Sequence, residues 1–119
     1  MKKTLIIGAS SKPERYAYLA AEKLLAYGHE IELLAKRPDV VFGKTIDTEK
    51  KAFTNIDTVT LYLSAQYQTE YYDYILSLNP KRVVFNPGTE NPEFEKLLAE
   101  NGIIAEEACT LVLLGTGQY

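Results

Sequence analysis

Thr4-Leu5-Ile6-Ile7-Gly8-Ala9-Ser10-Ser11-Lys12-Pro13-Glu14-Arg15-Tyr16 is the stretch whose reading decides the fold. A short run of apolar and β-branched side chains leads straight into Gly-Ala-Ser-Ser, and a helix-forming segment opens after Pro13. This is the layout of a first strand, a tight turn and a helix. The first N–H groups of such a helix lack partners and the peptide dipoles add there, so the turn is a place for an anion. Gly8 permits close backbone approach, and Ala9, Ser10 and Ser11 carry amide and hydroxyl donors. Lys12 and Arg15 bring positive charge beside Tyr16, and arginine grips a phosphate through two parallel bonds. The plainer alternative is that Gly8 only eases the turn and the charges are solvated. Ser10 or Ser11 is expected to cap the helix, with Pro13 in its first turn and Glu14 complementing its dipole.

The pattern repeats along the chain. The helix from Glu14 carries Tyr16, Leu19, Ala20, Leu24 and Tyr27 at helical spacing and stops at Gly28. A second strand runs from Glu30 to Ala35 and a third from Thr58 to Leu63, rich in β-formers. Between them, Val40 to Lys44 reads as a short edge segment and Thr48 to Phe53 as one or two helical turns. Ser64 to Leu78 has a helix pattern ending at Asn79-Pro80, followed by a fourth strand, Arg82 to Asn86. Asn86-Pro87-Gly88 is a turn, and Asn91 caps a helix that Gly102 ends. Ile103 to Ala105 is the fifth strand, and Ala108 to Leu114 a short apolar helix or edge segment. Strands alternating with helices predict an α/β fold: a three-layer α/β/α sandwich on a five-stranded, mostly parallel sheet. The expected strand order is 3-2-1-4-5, with its reversal beside the first strand. A ligand would then lie beyond the strand ends, among the turns Gly8 to Arg15, Ala35 to Pro38 and Ser64 to Gln66, with Pro87-Gly88 as a fourth wall.

The chain of 119 residues is expected to form one domain, residues 1–119. Its net charge of −3 argues against a nucleic-acid partner, which needs a basic face. One cysteine, Cys109, excludes an intrachain disulfide. No apolar run is long enough for a membrane span or a signal-peptide core, so the expected location is cytoplasmic.

The dinucleotide fingerprint G-x-G-x-x-G is not met, and the second strand ends in Ala35-Lys36-Arg37 where an NAD site wants an acidic residue. Two cations there suit a nucleotide with an extra phosphate on its ribose, as coenzyme A and NADP have; an ordinary basic loop is the alternative. Gly8-Ala9-Ser10, Lys12-Pro13, Arg15-Tyr16, the Leu-Leu-x-x-Gly helix end and the Phe-Gly-Lys loop together resemble the small bacterial CoA-binding proteins with a stand-alone Rossmann domain. Asp57, the turn after the fourth strand, the Asn-Gly-Ile helix end and a cysteine before apolar residues extend the resemblance over nearly the whole chain. The same domain forms the CoA-binding part of succinyl-CoA synthetase. The resemblance implies CoA or acyl-CoA binding, with phosphates at the Gly8 turn and adenine between the loops after the second and third strands. Ser64 either caps its helix or touches the adenine ribose. The chain departs from the family pattern at Lys36-Arg37-Pro38, where many members carry Asn-Pro. It departs again at Phe85-Asn86-Pro87-Gly88, where many carry a Gln or Trp-rich segment.

No catalytic set is visible. His29 stands alone at a helix end, Cys109 reads as a small buried residue or as a partner for the cofactor thiol, and Glu106-Glu107 as a solvated pair. No metal-ligand set is expected. Tyr67, Tyr71, Tyr72 and Tyr74 cluster, either as core and rim or as a homodimer surface. Three functions remain: a non-catalytic module for a small nucleotide ligand, an NAD(P)-binding protein or NADP-dependent reductase fragment, and an interaction scaffold on an empty nucleotide fold.

Overall fold

The computed structural model describes residues 1–119. Its strands are β1 (Thr4–Ile7), β2 (Ile31–Leu34), β3 (Asp39–Val41), β4 (Lys44–Asp47), β5 (Thr58–Leu61), β6 (Arg82–Phe85) and β7 (Ile104–Glu107). Its α-helices are α1 (Tyr16–Ala26), α2 (Tyr72–Leu78), α3 (Pro92–Glu100) and α4 (Thr110–Gly115). They form one seven-stranded sheet in the order β3-β4-β2-β1-β5-β6-β7. Every neighbouring pair is parallel except β3 with β4.

Successive residues of the central strands point to opposite faces, and both faces are covered. Leu5, Ile7, Leu61 and Phe85 pack on one side with Ile75 of α2 and Phe94 and Leu98 of α3. Ile6, Leu33 and Val84 pack on the other side with Ala17, Ala21 and Leu24 of α1 and Leu113 and Leu114 of α4. The three-layer α/β/α architecture, Rossmann-like and mostly parallel, is the one expected. The sheet has seven strands rather than five, and the expected order 3-2-1-4-5 needs correction. Thr58–Leu61 does not flank β2; it pairs with β1 on the opposite side. The place beside β2 belongs to β4, reached through a hairpin. Phe42 and Gly43 form its two-residue turn with φ of 53° and 73°, the backbone a tight hairpin demands. A phenylalanine is unusual there, and its ring lies 4.8 Å from that of Tyr18 on α1, which clamps the hairpin to the helix layer.

Other expectations shift by local physics. α1 begins at Tyr16, not Glu14, and buries Ala17, Ala20, Ala21 and Leu24. Ala20 and Leu24 are buried as expected and Ala17 and Ala21 complete the stripe, whereas Tyr16 is 69% and Tyr27 52% exposed. Alanines let the helix sit close to the sheet, where tyrosines would hold it off. Ser64–Leu78 is not one helix: Ala65–Tyr67 and Thr69–Tyr71 are 3₁₀ turns, and the α-helix begins at Tyr72. Gln68 causes the break. Its side chain is fully buried, and Nε2 donates to the Leu63 carbonyl at 2.8 Å and to the Thr89 carbonyl at 2.7 Å. Thr48–Phe53 carries no helix. Asn91 does cap α3, accepting from the Phe94 amide at 3.1 Å. The tail is a helix, α4, and β7 begins at Ile104, one residue later than expected. No helix is long and apolar enough to cross a membrane.

Candidate functional site

In a sheet of this kind the ligand cleft opens at the carboxyl ends of the strands where the order turns back. The chain runs outward from β1 to β2 and β4, then returns across β1 to β5, so the turning point lies between β1 and β5. A cleft of ≈ 790 Å³ sits there. Its floor and one wall are Gly8, Ala9, Ser10, Ser11 and Lys12 of the first turn, with Arg15, Tyr16 and Ala17 at the start of α1. The end of β2 contributes Ala35, Lys36, Arg37, Pro38 and Asp39; Ile46, Tyr62 and Leu63 close the remainder.

Gly8 is required by packing. Its φ is +90°, and a Cβ there would lie 2.7 Å from the Tyr62 carbonyl oxygen. The amides of Gly8 and Ala9 both donate to the Leu34 carbonyl, at 2.9 and 3.2 Å, so they are tied into the sheet. The free donors lie further on. The amides of Tyr16, Ala17 and Tyr18, the first three of α1, have no partner in the chain. Neither serine caps the helix: Arg15 holds the N-cap position, no side chain bonds there, and no acidic residue lies in the first turn. Ser10 Oγ instead accepts from the Lys12 amide at 3.1 Å, and Ser11 Oγ donates to Asp39. The local reason is Pro13-Glu14, which form a turn before the helix and carry both serines too far upstream to reach its amides.

Four cations rim the cleft: Lys12, Arg15, Lys36 and Arg37. Of these only Lys36 is paired, with Nζ 2.6 Å from Glu70 Oε1. That bond raises the Lys36 pKa and lowers that of Glu70. Asp39 enters the cleft unannounced by any motif. Its carboxylate accepts from the Ser11 hydroxyl and, at 2.8 Å, from the Val40 amide, which hold its pKa below the ordinary range. Tyr62 is a second residue that sequence reasoning did not single out. Burial pushes its phenol up to about 12, so it is a neutral wall at ordinary pH.

Ser64, Pro87 and Gly88 do not line this cleft. Ser64 is exposed at the start of the Ala65–Tyr67 turn with no side-chain cap bond. Pro87 and Gly88 follow β6, one strand beyond β5, and the Gly88 amide donates to Glu90 Oε1 at 2.9 Å. Asn86 is buried and committed to structure: Nδ2 donates to Thr60 Oγ1 and the Leu61 carbonyl, and Oδ1 accepts from the Thr110 amide. His29 precedes β2, at the opposite end of the sheet, where Nδ1 accepts from the Lys2 amide at 2.9 Å. Cys109 is half-buried between β7 and α4. No three His, Cys, Asp or Glu side chains converge as a metal-binding group. Of the clustered tyrosines, Tyr71 is buried, Tyr72 stacks on Phe94 at 4.2 Å and Tyr67 alone is largely exposed.

The profile of the CoA binding domain matches residues 2–115. The chain belongs to the CoA-binding domain family. This CoA-binding domain is also similar to a solved protein described only as uncharacterised. The two share 54% identity over 100% of this chain and 98% of the other, with a TM-score of 0.99. A hypothetical protein from Pyrococcus horikoshii shares 27% identity over 93% of this chain and 80% of its own, with a TM-score of 0.81. A protein from Thermus thermophilus, at 22% identity and a TM-score of 0.86, covers 99% of this chain and 90% of its own and shows likeness of fold alone. No curated protein matches. Membership of this family points to a small-molecule ligand of the coenzyme A type. The NADP reading gains no support.

Proposed function

We propose that this domain binds coenzyme A or an acyl-CoA without transforming it. The observation that carries the reading is the bare start of α1. Three unpartnered amides stand at the head of an eleven-residue helix whose first two residues, Tyr16 and Ala17, line a cleft rimmed by four cations. That arrangement suits a pyrophosphate, which takes the Tyr16 to Tyr18 amides and the charges of Lys12 and Arg15. Gly8 and Ala9 set the height of the turn beneath it, Ser10 supplies a hydroxyl, and Ser11 holds Asp39 at the edge of the cleft. Lys36 and Arg37, at the end of β2, meet the ribose phosphate. The adenine lies between this loop and the segment after β5. The pantetheine arm leaves the cleft toward Pro87 and Gly88. The cleft volume falls within the usual range of ligand sites.

Thermal unfolding in the presence of nucleotides tests the reading. A ligand at about 100 times its Kd adds about 2.7 kcal/mol of stability. CoA is expected to raise the melting temperature clearly, dephospho-CoA less and NADP little. A larger shift with NADP, or no shift with any of the three, contradicts the proposal.

A further inference from the structure

Two lysines, Lys36 on the rim and Lys50 beyond it, converge on one carboxylate. Lys36 Nζ lies 2.6 Å from Glu70 Oε1, and Lys50 Nζ lies 3.7 Å from Glu70 Oε2. Lys50 Nζ also donates to the Glu70 carbonyl at 2.7 Å. Both ammonium groups stand over the Tyr71 ring, 5.7 and 5.0 Å from its centroid. Lys36 reaches this cluster from the end of β2, Lys50 from the segment after β4 and Glu70 from the turn after β5. The three therefore bridge the gap between the loops that flank one end of the cleft, and all three side chains remain open to solvent. Chemically, the Glu70 carboxylate presents two anionic oxygens to two ammonium groups. A phosphomonoester dianion makes the same demand, with more charge and one more oxygen.

We infer that Glu70 is an internal counter-ion that tunes how strongly the cleft prefers a nucleotide with a ribose phosphomonoester over one without it. The inference rests on the CoA-binding reading above and adds Lys50 and Glu70 to that site. With Glu70 ionised, an incoming phosphate meets cations already engaged and a like charge beside them. With Glu70 neutral, the two lysines present their full charge. The pair is exposed, so the effect is a modulation of about two- to fivefold and not an on–off switch.

Isothermal titration of CoA and dephospho-CoA tests this on the wild type, Glu70→Gln, Glu70→Asp and Lys50→Met. The readout is the ratio of the two dissociation constants. Glu70→Gln is expected to raise the preference for CoA about two- to fivefold, Glu70→Asp to keep it near the wild-type value, and Lys50→Met to lower it. If Glu70 merely pinned the Thr69–Tyr71 turn, both constants would move together and the ratio would hold. An unchanged or smaller ratio in Glu70→Gln, with both ligands still bound by the wild type, overturns the inference and leaves the CoA reading standing. Failure of the wild type to bind either ligand overturns that reading, and the inference with it.

Discussion

Gly8 shows how one residue serves the fold before it serves a ligand. Its φ of +90° and the 2.7 Å separation from the Tyr62 carbonyl leave no room for a side chain. Gly8→Ala is therefore expected to destabilise the domain by about 3 kcal/mol, read as a lower urea midpoint. A midpoint equal to wild type would remove the packing role. Arg15 is the opposite case. Its side chain is exposed and makes no hydrogen bond or ion pair within the chain, so its loss leaves the fold alone. Arg15→Ala is expected to keep the wild-type melting temperature and to weaken CoA binding about tenfold, measured by titration calorimetry. The first turn was legible in the sequence because its residues are neighbours along the chain. Asp39, Tyr62 and Glu70 were not, because the topology carries them there from three other segments.

At the level of elements, periodicity separated strands from helices but did not say how a helix would start. The serines before α1 looked like caps; the turn at Pro13-Glu14 takes them out of reach and leaves the helix head bare. The hairpin from Asp39 to Asp47 lies where the sequence shows only a short edge segment at Val40 to Lys44. Its two short strands bury only Val41 and Ile46, too few residues to display a period of two. The aromatic spacing of Ser64 to Leu78 predicted one helix, yet a single buried glutamine interrupts it. Gln68 holds the Leu63 and Thr89 carbonyls and accepts from Asn91 Nδ2 at 3.0 Å, so it ties the loop after β5 to the loop after β6. Gln68→Leu strands the buried Thr89 carbonyl and the part-buried Leu63 carbonyl and is expected to cost about 2–4 kcal/mol in urea unfolding. Loss of less than that would mean water reaches these carbonyls.

Across the whole molecule, the two cores on either face of the sheet were readable from the near-continuous apolar strands, while the strand order was not. Pairing β5 with β1 and β4 with β2 depends on which connection crosses the sheet, and the segment Thr48–Asp57 crosses it without a helix to announce the fact. The same burial makes the fold sensitive to alkali. Burial raises the Tyr62 pKa from 10.0 to about 12 in the folded chain. The unfolded chain loses that proton first, so stability present below pH 10 declines as pH rises toward 12. The urea midpoint is expected to fall across that window, and to fall less steeply in Tyr62→Phe; equal slopes would assign the loss to other groups. Tyr74, also raised to about 12, remains in that variant and keeps part of the decline. Binding at the head of α1 is tested most directly by where a nucleotide's pyrophosphate sits, which a crystal structure grown in excess CoA measures. The expected result is density for the pyrophosphate within hydrogen-bonding distance of the Tyr16, Ala17 and Tyr18 amides. Density for the ligand at any other surface, with those amides bare, would contradict it.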